Sequence, residues 1–419
     1  MTAPTMALGG FLPRHVDTQV RTSLSDTRIV AVLGPRQSGK TTLVQRIARD
    51  ANLPYVTLDH ALSRRFALDD PIGFVRAFPA AAIDELQRAP ELVLALKHAV
   101  DEDPRPGRYI VTGSVDLLAS AVSPDSLAGR VESVELLPFS QAEIAGLRIP
   151  RFLGRAFRAD FPRVLTLDRT ENLIERILTG GYPEAVARTT ARRRTAWLRA
   201  YARLLVRRDV SQTFRVSKLG EMARLVDHAG ALAGGLLNLS RLGSELGIDA
   251  KTIDRWLELI EHLFLVRRVP AWHRNDVKRL VKAPKLHFLD SGLLAAVRRV
   301  GAPAIARNRG KVGQLLECLV FSEIVKTPDL ADRGIVVSHY RDKDKVEVDL
   351  VLEHPDGRVV GIEVKASATV GPRDFRGLAR LKAACGDSFS CGILLHDGDR
   401  VQEVAPRQFL MPVSMLWES

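Results

Sequence analysis

Apolar and polar residues are spaced differently in successive parts of the chain, and this spacing predicts its elements. Ile29–Leu33 is an unbroken apolar run of strand length, and residues 42–48 after it carry apolar side chains at helical spacing. Similar short runs, expected as further strands, occupy residues 54–59, 80–85 and 108–114. Residues 154–234 have helical spacing throughout, so we expect no strand there. Residues 346–352 and 360–365 alternate with a period of two, which predicts two half-buried strands.

The loop after the first strand is rich in glycine and ends in a lysine and a threonine. It reads GPRQSGKT and matches G-x-x-x-x-G-K-[ST], the phosphate-binding loop. Lys40 would reach the β- and γ-phosphates of ATP, and the Thr41 hydroxyl would bind Mg²⁺. The alternative is a chance glycine-rich turn between a strand and a helix. The residues expected to contact the nucleotide are Gly34, Pro35, Arg36, Gln37, Ser38, Gly39, Lys40, Thr41 and Thr42.

The apolar run at residues 80–85 ends in two acids, Asp84 and Glu85. On a strand that follows a phosphate-binding loop, such a pair fits the second motif of P-loop NTPases. Asp84 would hold Mg²⁺ through water, and Glu85 would polarise the attacking water. The alternative is that both acids cap a helix that begins near Leu86.

Two later segments extend the expected nucleotide site. The run at residues 108–114 ends in hydroxyl residues, and Thr112 or Ser114 would lie near the γ-phosphate, although Ser114 could equally cap the next helix. Arg130 lies in a glycine-containing turn, LAGRV, and would neutralise transition-state charge at the nucleotide of a neighbouring subunit. The alternative for Arg130 is a surface ion pair. A role in trans would require a homo-oligomer.

Positive charge exceeds negative charge across the chain. Lys and Arg number 61 against 49 Asp and Glu, which gives a net charge of +12 and a pI near 9.9. This excess favours an anionic polymer or surface as partner, and nucleic acid in particular, although such a composition can also be a habit of the whole genome. Four arginines fall on one face of an expected helix, where phosphate contact and a solvated surface are both open: Arg192, Arg199, Arg203 and Arg207.

Residues 239–257 predict a helix, a glycine-containing turn and a second helix, and residues 263–266 predict a strand. This order is typical of a winged helix. Lys251, Thr252 and Arg255 lie at the start and on the exposed side of the second helix, where a DNA-binding protein places its contacts. The alternative is a module that only packs against the nucleotide-binding domain.

The two alternating strands near the C-terminus are joined by the turn sequence HPDGR. A three-residue loop with Gly357 in the left-handed conformation pairs His354 with Arg358. A two-residue loop would shift the register by one residue and place the acids of the two strands on opposite faces.

With the three-residue loop, Asp349 faces Glu363 and Glu347 faces Lys365 on one face of the sheet. Two adjacent carboxylates repel each other, and Mg²⁺ relieves this repulsion. We therefore expect Asp349 and Glu363 to be metal ligands, Lys365 to orient or deprotonate a water, and Glu317 to add an outer carboxylate from a helix. The alternative is an exposed sheet face with alternating charges.

Other residue types exclude several classes of site. The three cysteines, Cys318, Cys385 and Cys391, form no C-x-x-C pair, which fits a reducing compartment and buried thiols. The ten histidines include no H-E-x-x-H motif, so no zinc site is expected. No run of eighteen apolar residues and no signal peptide is evident, so we expect a cytoplasmic protein without a membrane partner.

Together these segments resemble a prokaryotic AAA-type ATPase family with a C-terminal domain of unassigned function, itself similar to the PD-(D/E)XK restriction-endonuclease-like nucleases. The resemblance implies that Asp349, Glu363 and Lys365 match the nuclease triad and that Glu317 matches its helical acid. Val348 stands where the superfamily has proline. The segments that carry the resemblance are GPRQSGKT, AAIDELQRAP, VTGS, LAGRV, GGYPEA, RRDV, KLHFLDSGLL and EVDLVLE with GIEVKAS.

We therefore expect an α/β protein with an ATPase domain and a nuclease-like domain. The expected function is an ATPase that couples its nucleotide state to a DNA-engaging domain, with magnesium-dependent cleavage by that domain. The alternative is a non-cleaving, nucleotide-operated switch that binds a protein partner through its winged-helix and C-terminal parts. The expected boundaries are 1–150 for the P-loop AAA-type domain, 151–230 for a helical segment, 231–275 for a winged-helix-like segment and 276–419 for the nuclease-like domain.

Overall fold

The computed structural model describes residues 11–114, 127–166, 172–205, 219–274, 282–367 and 369–418. These residues divide into two compact units, which are described separately. We call Phe11–Phe139 with His262–Phe264 the N-terminal unit, and Ser140–Glu261 with Leu265–Ser419 the C-terminal unit.

The described strands of the N-terminal unit form a parallel sheet with the order β2-β3-β4-β1-β5. The strands are β1 Ile29–Leu33, β2 Tyr55–Thr57, β3 Ala81–Asp84, β4 Tyr109–Gly113 and β5 Val131–Glu135. The first four lie within the predicted apolar runs, so those predictions are confirmed. The helices are α1 Asp17–Asp26, α2 Lys40–Asp50, α3 Ala61–Asp69, α4 Pro71–Ala77 and α5 Leu92–Glu102.

The core of this unit explains why its central strands are continuously apolar. Every residue of β1, β3 and β4 is buried, as parallel strands covered on both faces require. Leu43, Val44 and Ile47 of α2 pack with Val30 and Val32 of β1 in one cluster. The carboxyl ends of β1, β3 and β4 therefore meet at one edge of the sheet, next to the N-terminus of α2.

The described helices of the C-terminal unit range from one turn to about four turns in length. In chain order they are α6 Gln141–Ile144, α7 Phe152–Arg158, α8 Leu173–Thr179, α9 Pro183–Val186, α10 Ala191–Leu204, α11 Leu219–Leu232, α12 Leu239–Leu246, α13 Ala250–His262, α14 Ser291–Val297, α15 Ala302–Arg307, α16 Gly313–Val325, α17 Pro328–Asp332, α18 Arg376–Cys385 and α19 Met415–Glu418.

The described strands of this unit form a mixed sheet and a separate ribbon. The sheet has the order β6-β13-β14-β12-β11-β10-β9. The strands are β6 Val164–Thr166, β7 Val266–Val269, β8 Lys285–Phe288, β9 Val336–Arg341, β10 Glu347–Glu353, β11 Val359–Lys365, β12 Phe389–His396, β13 Arg400–Ala405 and β14 Gln408–Pro412.

One strand falls where none was expected. Val164–Thr166 lies in the segment with helical spacing, yet it pairs antiparallel with β13 at the edge of the sheet. All three of its residues are exposed, so this strand has no buried face and left no alternation in the sequence.

A helix-turn-helix precedes the ribbon of β7 and β8. Gly247 ends α12 in the left-handed conformation with a φ of 71°, and α13 follows. The strand expected at residues 263–266 begins only at Val266, because Phe264 adopts a positive φ of 56° that interrupts an extended chain. β7 then pairs antiparallel with β8.

The three cysteines are buried and free, as predicted. Among the described residues, no helix is both long and apolar enough to cross a membrane. Arg207 and residues 115–126, where a helix capped by Ser114 would begin, lie outside the described residues.

Candidate functional site

The phosphate-binding loop is held in its shape by close packing and positive φ angles. A Cβ at Gly34 would lie 2.1 Å from the backbone oxygen of Leu136, so only glycine fits there. Gly39 has a φ of 98° immediately before α2 begins, and Gln37 has a φ of 60°. The strand, loop and helix predicted around GPRQSGKT are therefore confirmed, with the helix beginning at Lys40 rather than near residue 42.

Lys40 is bound to the loop itself. Its ammonium donates hydrogen bonds to the backbone oxygens of Gly34 and Pro35, both at 2.8 Å, and the side chain is buried. These carbonyl contacts keep the ammonium at the mouth of the loop, where a phosphate would meet it.

Arg14 supports the loop from a segment outside every motif of the sequence. Its guanidinium donates to the backbone oxygens of Ser38 at 2.7 Å and Leu137 at 2.6 Å. It also lies 4.7 Å from the centre of the Phe139 ring. A planar guanidinium can bind two carbonyls and an aromatic face together, which makes Arg14 a clamp on the loop. No sequence pattern marks this residue, because its partners are 24 and 123 positions away.

Asp84 accepts hydrogen bonds from three hydroxyl groups at the carboxyl edge of the sheet. The donors are Thr112 at 2.5 Å, Tyr55 at 2.8 Å and Thr41 at 3.1 Å. Burial, followed by the hydrogen bond to Asp84, raises the pKa of Tyr55, so the phenol remains a donor. Thr41 and Asp84, predicted as metal ligands, thus lie in direct contact. No role was predicted for Tyr55 from the sequence, although it lies on β2, which pairs with the strand that ends at Asp84.

Glu85 is held in an unusual backbone conformation. Its φ is 62°, and its N–H donates to the Thr112 hydroxyl at 3.0 Å. The Gln87 amide donates both to the Glu85 carboxylate and to Ser114 Oγ, the latter at 2.9 Å. A short 3₁₀ helix, Leu86–Arg88, follows without a side-chain cap from Glu85, so the capping alternative does not hold for that residue. A left-handed non-glycine residue stores local strain of a kind concentrated at functional sites.

Arg130 lies at the opposite edge of the sheet from the phosphate-binding loop. Its backbone oxygen accepts from the N–H of Ile29, the first residue of β1, whereas the loop follows Leu33 at the other end. Its guanidinium pairs with both carboxylate oxygens of Asp101, at 2.5 and 3.0 Å. The ion-pair alternative is therefore present within the chain, and action on a neighbouring subunit stays a prediction.

The predicted hairpin register is confirmed in the C-terminal unit. The backbone N–H of His354 donates a hydrogen bond to the backbone oxygen of Arg358 at 2.9 Å, and Gly357 has a φ of 87°. Along the two strands, Glu353 pairs with Val359 and Leu350 pairs with Ile362, as the three-residue loop requires. Beyond this ladder, the Asp349 carboxylate accepts a hydrogen bond from the Val364 N–H at 2.9 Å.

Glu363 pairs with Lys365 and is within electrostatic range of Asp349. Lys365 pairs with Glu363 at 3.3 Å, and Oε2 of Glu363 has no hydrogen-bond partner among the described residues. Burial, followed by repulsion from Asp349, raises the pKa of Glu363 to about 8. Glu347, expected opposite Lys365, instead pairs with Arg341 of β9 at 3.3 Å. The next strand in the sheet supplies that partner, which the hairpin register alone could not reveal.

A second lysine, Lys285 of β8, lies among the carboxylates. Its ammonium is 3.3 Å from Asp349, 3.5 Å from Glu317 and 3.7 Å from Glu347, and its side chain is only 3% exposed. These carboxylates raise the pKa of Lys285 despite its burial, so it is charged. Burial and the nearby Asp349 raise the pKa of Glu317 to about 8. No role was predicted for Lys285 from the sequence, although it begins KLHFLDSGLL, one of the segments that carry the family resemblance.

A histidine borders the same cluster. Nε2 of His287 lies 3.8 Å from Glu317, and neither ring nitrogen has a hydrogen-bond partner within the described part of the chain. Burial lowers the pKa of His287 to about 3, so its ring is neutral. Within that described part, no group of three or more His, Cys, Asp or Glu side chains is arranged to hold a metal ion. The acids contact the ammonium of Lys285 instead.

The expected basic surfaces are exposed. Arg192, Arg199 and Arg203 lie on the outer face of α10, as predicted. On α13, Lys251 and Arg255 are exposed, whereas the Thr252 hydroxyl donates to Asp249 at 2.6 Å and thus takes part in the start of that helix.

Three family models match different parts of the chain. Residues 26–145 match an AAA domain, residues 170–304 match a domain of unknown function (DUF8612), and residues 312–416 match a domain of unknown function (DUF4143). Two uncharacterized proteins, from Mycobacterium bovis and Mycobacterium tuberculosis, are each 26% identical over 373 residues, which is 88% of this chain and 78% of theirs.

Solved structures with similarity to this chain include three nucleotide- or DNA-related proteins. The Walker-type ATPase of Pyrococcus abyssi is 17% identical with a TM-score of 0.43, covering 71% of this chain and 99% of its own. AMPPCP-bound DnaA from Aquifex aeolicus is 11% identical with a TM-score of 0.29, covering 62% and 92%. The DNA clamp loader delta protein of Bacillus subtilis is 11% identical with a TM-score of 0.23, covering 59% and 88%.

The match to the AAA domain model agrees with the parallel sheet, the phosphate-binding loop and the contact between Thr41 and Asp84. Residues 26–145 form a P-loop AAA-type ATPase domain, and the chain is an ATPase.

Proposed function

We propose that this ATPase uses Mg²⁺ and couples its nucleotide state to a domain that engages nucleic acid and hydrolyses its phosphodiester bonds. The hairpin geometry carries the second half of this proposal. Three observations support the grouping of Asp349, Glu363 and Lys365: the hydrogen bond from the Val364 N–H to Asp349, the ion pair of Lys365 with Glu363, and an oxygen of the Glu363 carboxylate without a hydrogen-bond partner among the described residues.

At the nucleotide site, each polar group has a distinct task. Lys40 exchanges its contacts with the loop carbonyls for the β- and γ-phosphates. Thr41 and Asp84, whose side chains are in contact, would hold Mg²⁺, which would neutralise phosphate charge when bound. Glu85 orients the attacking water, and Ser114 lies near the γ-phosphate. The strained backbone of Glu85 and its link through Gln87 to Ser114 support this assignment.

At the hairpin, the donor set is suited to a hard divalent cation. Asp349 and Glu363 offer oxygens. Burial, followed by repulsion from Asp349, raises the pKa values of Glu363 and Glu317 to about 8 each, so added positive charge would stabilise their carboxylate forms. Asp349 and Glu363 would hold Mg²⁺, and its charge would polarise the scissile phosphate. Lys365, whose ammonium pairs with Glu363, would orient the water, and Glu317 would act as the outer carboxylate of a restriction-endonuclease-like fold. The packing of α16, which contains Glu317, against β11 supports this assignment.

Exposed positive charge supports a nucleic-acid partner, DNA in particular. The arginines of α10 and the pair Lys251 and Arg255 on α13 lie on helix surfaces, and the whole chain carries a net charge of +12. Phosphate contacts of this kind release counterions, so affinity should fall steeply with salt. The helix-turn-helix and its two-stranded ribbon support the winged-helix interpretation.

Two experiments test the two halves. Lys40→Ala should abolish ATP hydrolysis, and unchanged hydrolysis would contradict the nucleotide assignment. The purified full chain with Mg²⁺ or Mn²⁺ should cut DNA or RNA, and failure on every form of both would exclude cleavage. Mass measurement with and without ATP tests the oligomer that a trans role of Arg130 requires.

One observation favours the non-cleaving alternative, a nucleotide-operated switch that binds a protein partner. The ammonium of Lys285 lies among the carboxylates that cleavage would use. A switch of this kind would show neither stimulation of ATP hydrolysis by DNA nor a steep salt dependence of DNA binding. Both measurements separate it from the proposed function.

A further inference from the structure

Lys285 connects two parts of the C-terminal unit that the sequence places far apart. It begins β8, the second strand of the ribbon after the helix-turn-helix. Its three carboxylate partners belong to other elements: Glu317 to α16, and Glu347 and Asp349 to β10. The ribbon therefore contributes a positive charge to the hairpin site.

The Lys285 ammonium lies among the carboxylates of Glu317, Glu347 and Asp349. Together with Glu363 we call these residues the acid cluster. The side chain is 3% exposed, and all three ammonium–carboxylate distances lie between 3.3 and 3.7 Å. A buried lysine without partners would be costly, whereas one surrounded by carboxylates remains charged and in place. In its present position, the ammonium contacts Asp349, a ligand of the proposed metal site, and Glu317, its outer carboxylate.

The cluster has ligand capacity that the ammonium does not use. Oε2 of Glu363 has no hydrogen-bond partner among the described residues. His287, which is 1% exposed, is also without a hydrogen-bond partner there, and its Nε2 lies 3.8 Å from Glu317. Carboxylates and a neutral imidazole are both ligands for divalent transition cations such as Mn²⁺.

We propose that Lys285 is a built-in counter-ion of the hairpin site, and that a divalent cation binds there only when the Lys285 ammonium moves away. The inference rests on the proposed metal-dependent function of this site. Its physical basis is that an ammonium and a divalent cation cannot both contact the same oxygens without strong repulsion. Because Lys285 belongs to the ribbon, a shift of β8 changes the cation affinity of the hairpin.

Calorimetric titration of the full chain with Mn²⁺ tests the competition directly. Lys285→Met removes the charge but keeps an unbranched side chain, and should tighten Mn²⁺ binding by about tenfold or more. Lys285→Arg keeps a cation and should bind Mn²⁺ about as weakly as the unmodified chain. Lys282→Met is the matched control, since Lys282 donates only to the backbone oxygen of Arg341 at 3.1 Å among the hydrogen bonds of the described residues. Asp349→Asn combined with Lys285→Met should abolish the tight binding.

A second measurement uses the unmodified chain and remains decisive if Lys285→Met does not fold. Reductive methylation followed by mass spectrometry reports how accessible each lysine is. Mn²⁺ should increase methylation of Lys285 several-fold and leave Lys282 unchanged. Constant protection of Lys285 at saturating Mn²⁺ would overturn the inference.

The outcomes separate this inference from the proposed function. If the unmodified chain binds Mn²⁺ through Asp349 and Lys285→Met binds no tighter, the counter-ion role is wrong and the metal site stands. If no variant binds Mn²⁺ through Asp349, the metal site fails and the inference fails with it. If Lys285→Met alone binds tightly, both are supported, and binding at that site is limited by the lysine.

Discussion

The Asp349 carboxylate accepts a hydrogen bond from the backbone N–H of Val364 at 2.9 Å, just beyond the last pairing of β10 with β11. A side chain thus continues the contact between the two strands where their own pairing stops. The bond fixes one carboxylate oxygen of Asp349 against β11, the strand that carries Glu363, so the position of Asp349 depends on the hairpin register. That register depends in turn on the loop that ends at Gly357.

Gly357→Ala should therefore destabilise the hairpin. The φ of 87° at Gly357 is unfavourable for alanine by about 1 kcal/mol, although a methyl group would meet no atom within 4 Å. Urea unfolding of the full chain should show this loss. Gly313→Ala is the control, because Gly313 also has open space but a helical φ of −48°, and it should be neutral or slightly stabilising. Equal stability of both variants would contradict the left-handed loop.

The acid cluster should make stability depend on pH. The pKa of Glu363 and that of Glu317 are each raised to about 8 from an ordinary value of 4.5, so the folded chain binds protons more readily than the unfolded chain. This contribution is fully present below about pH 4.5 and is lost as the pH rises through about 8.

Thermal unfolding of Glu363→Gln at pH 5 and pH 8 measures this effect. Glutamine cannot ionise, so the variant should gain stability over the unmodified chain mainly at pH 8. Glu102→Gln, at the exposed end of α5, is the control and should show no such difference between the two pH values. A gain that is the same at both pH values would contradict the assigned cause.

Tyr55→Phe should weaken the nucleotide site with little change in packing. The substitution removes the 2.8 Å hydrogen bond to Asp84 and keeps the ring. Loss of one bond to a charged acceptor should cost about 1.5–3 kcal/mol in stability, and the freed carboxylate should bind Mg²⁺ less precisely. We expect a rise in the Mg²⁺ concentration needed for half-maximal ATP hydrolysis. An unchanged requirement would mean that Tyr55 does not position Asp84.

Arg14→Met should loosen the phosphate-binding loop. The variant loses the bonds to the backbone oxygens of Ser38 and Leu137 but keeps an unbranched apolar stem beside Phe139. Nucleotide affinity should fall by roughly tenfold, which corresponds to about 1.4 kcal/mol. Fluorescent-nucleotide titration measures this change, and Arg14→Lys should recover only part of the affinity because it cannot bind both carbonyls in a planar fork. Full affinity in Arg14→Met would exclude the clamp.

Structural features that depend on residues close together in the sequence could be predicted from it. Contacts between residues far apart in the sequence could not. The phosphate-binding loop, the acids at the end of β3 and the hairpin register each follow from spacing over a few residues, and each is present in the structure. Arg14, Tyr55 and Lys285 reach their partners across 24 to 123 positions, and no periodicity encodes such contacts.

The two wrong predictions have local causes. The strand Val164–Thr166 is wholly exposed and so lacks an apolar alternation, and the strand expected at residue 263 is delayed by the positive φ of Phe264. Arg130 illustrates a different limit, because a motif identifies the residue but not its partner, and here the partner within the chain is Asp101.

The proposed function requires that the hairpin of Asp349, Glu363 and Lys365 cut nucleic acid under control of the nucleotide. The most direct measurement incubates the full chain with Mg²⁺ and single- or double-stranded DNA or RNA, with and without ATP, beside Asp349→Ala. We predict cleavage of at least one substrate by the unmodified chain, a change in its rate with ATP, and no cleavage by Asp349→Ala. Absence of cleavage under every condition, or cleavage that Asp349→Ala retains, would contradict the claim.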